Sequence, residues 1–158
     1  MDSRSGAGQK QPRPVVVTVL AIQPDPLKTP WWVRRSGLEY SHVVIAIGNV
    51  IWDQPWKGKA AAYDANEWVD EKDVIERGYQ RVDIHYPDHD PMAYLAACVK
   101  CEGRRSQRWR TALRFLKLWP KPAWNCTSPI REILNALDPD NPVTGETADA
   151  IIEELTHD

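Results

Sequence analysis

The sequence predicts an α+β protein: a small antiparallel sheet of roughly four to six strands packed against helices. Three observations carry that expectation. Residues 15–22 read Val-Val-Val-Thr-Val-Leu-Ala-Ile, a short β-branched run of the kind that forms a buried strand. Residues 41–53 are two apolar runs joined by Gly48-Asn49, the turn of a tight hairpin. Residues 92–137 carry three stretches whose apolar positions suit helices.

Bulk properties narrow the class. At 158 residues the chain is the size of one domain with a real core, and 42% hydrophobic with 27% charged residues is ordinary for a globular protein. Residues 1–13 read as a disordered arm of Gly, Ser, Gln and basic side chains, and 14–158 as a single domain. A net charge of −2 gives no global case for nucleic acid or an acidic partner. Basic residues are nevertheless concentrated: Lys100 to Lys121 holds eight of them against Glu102 alone. Eight tryptophans against one phenylalanine point to an aromatic groove or interface. Three cysteines argue against a disulfide framework and for a reducing compartment. There is no apolar leader and no run near the roughly 20 residues of a membrane span. The expectation is a cytoplasmic protein, or one carried out by virion packaging or lysis.

Taken in order, the strand at 15–22 gives way to a loop forced by Pro24, Pro26 and Pro30. Trp31-Trp32-Val33-Arg34-Arg35 suits one helical turn released at Gly37, its aromatics either a lip over a pocket or loop side chains packing onto the domain. In the hairpin, a Gly48-Asn49 turn sets Ile47 against Val50 and Val44 against Asp53. His42 and Asp53 then share one sheet face, about a diagonal apart. Residues 56–62 read as a loop and 65–76 as an irregular cover ending near Gly78. Residues 79–86 alternate through Val82, Ile84 and Tyr86 as a third strand. Asp90-Pro91 opens a helix over 92–101 that is apolar nearly all round, hence buried. A second helix over 107–119 places Trp109, Ala112, Leu113, Leu116 and Trp119 on one face and Arg110, Arg114 and Lys117 on the other, before Pro120 and Pro122 stop it. Residues 138–142 form a turn, and 144–155 a short acidic helix.

Chemistry centres on Trp124-Asn125-Cys126-Thr127-Ser128-Pro129. Pro129 fits the first turn of a helix whose buried stripe is Ile130, Ile133, Leu134 and Leu137, with Thr127 or Ser128 as cap. Cys126 therefore stands at a helix N-terminus, where orphan N–H groups and the helix dipole favour a thiolate. A nucleophilic cysteine needs a base, often with a third group orienting it. His42 with Asp53 beside it on the hairpin is that pair. Alone, each is more often structural: an inert small hydrophobe and a satisfied strand histidine.

The segments Tyr40-Ser41-His42-Val43-Val44-Ile45, Val50-Ile51-Trp52-Asp53 and Asn125-Cys126-Thr127-Ser128-Pro129-Ile130 resemble circularly permuted papain-like hydrolases of the NlpC type. In that group the Ser-His-Val strand precedes a late cysteine helix. The Asn-Cys pair is also similar to the related lecithin retinol acyltransferase group. The resemblance implies a permuted papain-like fold, Cys126 as nucleophile, His42 as base and Asp53 as the third residue. It places Tyr40 by the oxyanion region, with Asn125, Trp124 and Trp32 as substrate contacts. The chain departs from these relatives at Thr127-Ser128, where Ser then Glu is usual, and at Arg104-Arg105-Ser106, where a Tyr-Asp pair is usual.

The implied activity is a cysteine amidase or peptidase, or an acyltransferase. Its substrate would be a peptide or acyl group, cell-wall peptidoglycan among the candidates, and no cofactor or metal is required. The alternative from another class is a non-catalytic interaction protein, bacterial or from a bacteriophage, using the tryptophan-rich groove and the basic helix. Cys98-Val99-Lys100-Cys101 lacks a second ligand pair for zinc and reads as core thiols. Asp88-His89-Asp90 and the terminal Glu153, Glu154 and His157 read as solvated loop and tail. Nucleic acid is disfavoured, because the basic stripe suits a solvated helix face.

Overall fold

β1 (Val15–Ile22) and β2 (His42–Ile47) form the middle of an antiparallel sheet, in a computed structural model that describes residues 14–157. β3 (Val50–Asp53) and β4 (Ala61–Asp64) extend it on one side and β5 (Tyr79–Tyr86) on the other, giving the order β4-β3-β2-β1-β5. The arm expected over 1–13 lies outside the described residues. The hairpin has the register its turn dictates: Ile47 pairs with Val50 and Ile45 with Trp52. Gly48 takes φ +59°, which a residue without Cβ adopts at little cost.

Side-chain alternation gives the sheet two apolar faces. Val17, Val19, Ala21, Val43 and Ile45 point to one side, under α4 (Pro91–Cys101), α6 (Thr127–Leu137) and α7 (Ala148–Thr156). From α6 come Ile130, Ile133, Leu134 and Leu137, the four stripe positions anticipated from spacing, and all are buried. Leu20, Ile22, Val44 and Ile51 point to the other side, covered by Trp68 and Val74. These two belong to α2 (Ala65–Glu71) and α3 (Val74–Arg77). The architecture is α+β, with five strands and, among the described residues, seven helices. None of those helices is long and apolar enough to cross a membrane.

Several local expectations are corrected. Part of the supposed loop at 56–62 is edge strand β4, recruited by pairing with β3 rather than by its own weak propensity. The supposed irregular cover is α2 and α3. Asp64 caps α2 by accepting the N–H groups of Asn66 and Glu67. α4 is buried only through Ala97, Cys98 and Cys101; Met92, Leu95 and Val99 face solvent because α6 and the sheet cover one side alone. α5 runs only Arg108–Phe115, since Lys117 adopts φ +59° and breaks it before Pro120. Trp109 and Leu116, which periodicity places on its apolar face, are exposed.

Candidate active site

His42 is the first residue of β2 and Asp53 the last of β3. Two-residue alternation puts both on the Trp68 side of the sheet. His42 Nε2 lies 2.7 Å from Asp53 Oδ1. The Trp68 indole N–H donates to the second carboxylate oxygen at 3.0 Å. Asp53 is 3% exposed, and each of its oxygens accepts from one of these two donors. With Nε2–H held by Asp53, Nδ1 is the ring nitrogen left to meet a thiol.

Burial works most strongly on His42 and opposes its charge. The charge and hydrogen bond of Asp53, joined by hydrogen bonding and charge from Cys126, outweigh it and raise the imidazole from 6.5 to about 10. For Asp53, burial likewise opposes ionisation, but His42 and then the Trp68 donor hold the carboxyl below its usual 3.8. The pair is therefore an imidazolium–carboxylate pair at neutral pH.

Cys126 immediately precedes α6. The capping role expected of Thr127 or Ser128 falls to Asn125. Its Oδ1 accepts the Thr127 N–H at 2.9 Å and the Thr127 hydroxyl at 2.7 Å. Ser128 Oγ accepts the Asn125 N–H in return at 3.0 Å, a reciprocal box that fixes the turn carrying Cys126. Arg131, one turn on, donates from Nη1 to Thr127 Oγ1 and to the Gly145 carbonyl, both at 2.7 Å. This ties the start of α6 to the segment before α7. Gly145 is required there, because a Cβ would come within 2.8 Å of the Ile151 nitrogen.

Trp124 is a buried support and not a groove contact. Its indole donates to the Gln54 side-chain oxygen at 2.6 Å, and Arg104 stacks on its ring at 3.6 Å. Its backbone N–H donates to Gln107 Oε1 at 3.0 Å, holding the loop before α5 against the cysteine segment.

Cys126, His42 and Asp53 line one pocket of about 320 Å³, together with Asn125, Tyr40 and Trp32. The Tyr40 hydroxyl is taken up by Gln80 at 2.8 Å and Glu39 at 3.1 Å, so it offers no oxyanion contact. Trp32, from α1 (Trp31–Arg35), forms an aromatic wall with Trp56 and Phe115, ring centroids 5.5 and 5.6 Å away. Sequence reasoning missed Trp68, Ser106 and the Arg114–Glu146 pair at 2.8 Å. Ser106 is among the residues lining this pocket, and its buried Oγ has no hydrogen-bond partner. The largest apolar side chain in the polar stretch 65–76, set beside Val69 and before Val74, was the available signal for Trp68; nothing local marks Ser106.

Cys98 and Cys101 lie in the core of α4, and burial pushes both thiols up, Cys101 to about 12. Among the described residues no three His, Cys, Asp or Glu side chains cluster as metal ligands would. No protein-family model, curated protein or solved structure matches the chain.

Proposed function

We propose that this protein is a cysteine hydrolase or acyltransferase with a permuted papain-like arrangement, related to the NlpC type. It would cleave an amide such as a peptide bond of cell-wall peptidoglycan. The observation that carries the proposal is the charge-paired His42–Asp53 couple in the same pocket as a cysteine at a helix start. The chain order, histidine strand before cysteine helix, is the permuted one.

In this mechanism the Cys126 Sγ proton rests on Nδ1 of His42, leaving a thiolate beside the imidazolium, while Asp53 holds Nε2–H and stabilises that charge. The thiolate forms a bond to the carbonyl carbon, and the C=O π pair moves onto oxygen. The Cys126 N–H at the start of α6 and the unpaired Ser106 hydroxyl are the donors available to that oxyanion. Collapse breaks the C–N bond, and His42 gives its proton to the departing amine. Water, or an acceptor nucleophile in the transferase case, then attacks the thioester with His42 as base and frees Cys126.

The test is turnover of peptide and acyl substrates alongside iodoacetamide labelling followed by mass spectrometry. Cys126→Ala abolishes turnover, and Cys126 alkylates well ahead of Cys98 and Cys101. His42→Ala removes that lead. Turnover that survives Cys126→Ala would overturn the mechanism. A binding-only protein, favoured by the exposed Trp31 and Trp109, predicts slow and undistinguished alkylation of all three thiols.

A further inference from the structure

A second groove, of about 710 Å³, runs between α1 and α5 and opens onto solvent. Its rim is apolar and unusually bare: Trp31 is 65% exposed, Trp109 80%, and Leu116, at the end of α5, 66%. Leu118, in the turn that follows, is 68% exposed. Cations frame these side chains. Arg35 and Arg108 line the groove, Arg34 flanks Trp31, and Lys117 sits between the two leucines. Neither helix contributes an acid, α1 reading WWVRR and α5 RWRTALRF.

We infer that this face docks on an anionic lipid surface. Tryptophan and leucine at the tips with arginine and lysine around them is what an interface of acyl chains beneath negative headgroups accepts. Two other occupants fit less well. A second copy would bring two faces together on which neither α1 nor α5 offers an acid to pair with Arg34, Arg35 and Arg108. A nucleic acid strand would engage the arginines and tryptophans but offers nothing to Leu116 and Leu118, which neither stack on bases nor hydrogen-bond. The groove also shares Pro30, Trp32, Trp56 and Phe115 with the Cys126 pocket, so docking would bring the mouth of that pocket to the lipid surface. The docking itself stands whether or not Cys126 is catalytic.

The test is flotation of the full chain with vesicles of phosphatidylcholine alone and of phosphatidylcholine with phosphatidylglycerol in equal parts. The protein floats with the mixed vesicles and not with phosphatidylcholine alone, and added salt weakens it. Trp109→Ser with Leu116→Ser lowers partitioning at least roughly tenfold. Arg35→Glu or Arg108→Glu lowers it about fivefold or more each. Cys126→Ala floats as the unchanged protein does, which separates docking from catalysis. All four surface positions are exposed or flanking, and circular dichroism confirms that the variants fold. Absence from mixed vesicles, or variants that float undiminished, would overturn the inference. So would retardation of a single-stranded oligonucleotide without vesicle binding, or a dimer that Trp109→Ser dissolves.

Discussion

Replacing Asp53 by asparagine removes the charge that holds His42 protonated while keeping the side chain's size. Three consequences follow from the contacts. The rise of His42 from 6.5 to about 10 represents a coupling on the order of a few kcal/mol, at ~1.4 kcal/mol per pH unit. Without the carboxylate, burial opposes the charge and only Cys126 still supports it, so His42 falls well below its value in the unchanged protein. Asparagine also has one acceptor oxygen where Asp53 meets two donors, His42 Nε2 and Trp68 Nε1, so a buried N–H is left facing an NH₂ group. Breaking the pair and stranding that donor should cost about 3 kcal/mol of stability, a loss of roughly 6–12 °C in Tm for a chain of this size. The pH dependence has a fixed sign. His42 is raised on folding, so its stabilisation is complete below 6.5 and fades as pH climbs to about 10. Asp53 is lowered, so its stabilisation is complete above 3.8 and is lost as pH falls through its folded value. The stability gap between the two proteins is therefore widest in mildly acidic solution and narrows toward alkaline pH. The assay is an NMR titration of the His42 ring protons with urea unfolding at several pH values. A His42 that titrates near 6.5 in the unchanged protein, or does not move in Asp53→Asn, would refute the reasoning.

Ser106→Ala should leave stability unchanged, because Ser106 Oγ has no partner, yet lower kcat about 100-fold if that hydroxyl meets the oxyanion; an unaltered kcat on a working substrate would remove it from the mechanism. Asn125→Ala deletes the acceptor for two Thr127 donors and should cost about 1 kcal/mol in urea unfolding, with slower Cys126 alkylation as the turn loosens. Asn125→Asp, which keeps the acceptor, should restore both. Gly145→Ala drives a Cβ against the α7 backbone and should destabilise by roughly 2 kcal/mol, shifting the Gly145 carbonyl off Arg131; a thermal midpoint equal to the original would show that α7 yields freely.

What the sequence determined by itself is local. The pairing of His42 with Asp53 was legible because a two-residue turn fixes hairpin register, and side-chain parity then decides which residues share a face. The helix start at Cys126 was legible from Pro129 and the spacing of Ile130, Ile133, Leu134 and Leu137. The α+β class followed from the same two periodicities. What tertiary structure alone decided depends on which surfaces meet across long stretches of chain. Met92, Leu95 and Val99 look like core from composition, yet α6 and the sheet cover only the other side of α4. β4 exists because β3 offers it an edge. Trp68 reaches Asp53 only because α2 folds over the sheet face carrying His42 and Asp53, and Ser106 enters the pocket because Gln107 is held by Trp124. The turn carrying Cys126 is capped by Asn125 rather than by Thr127 or Ser128, and Arg131 clamps it through Thr127. Periodicity says which face of an element is apolar; only packing says whether anything covers it.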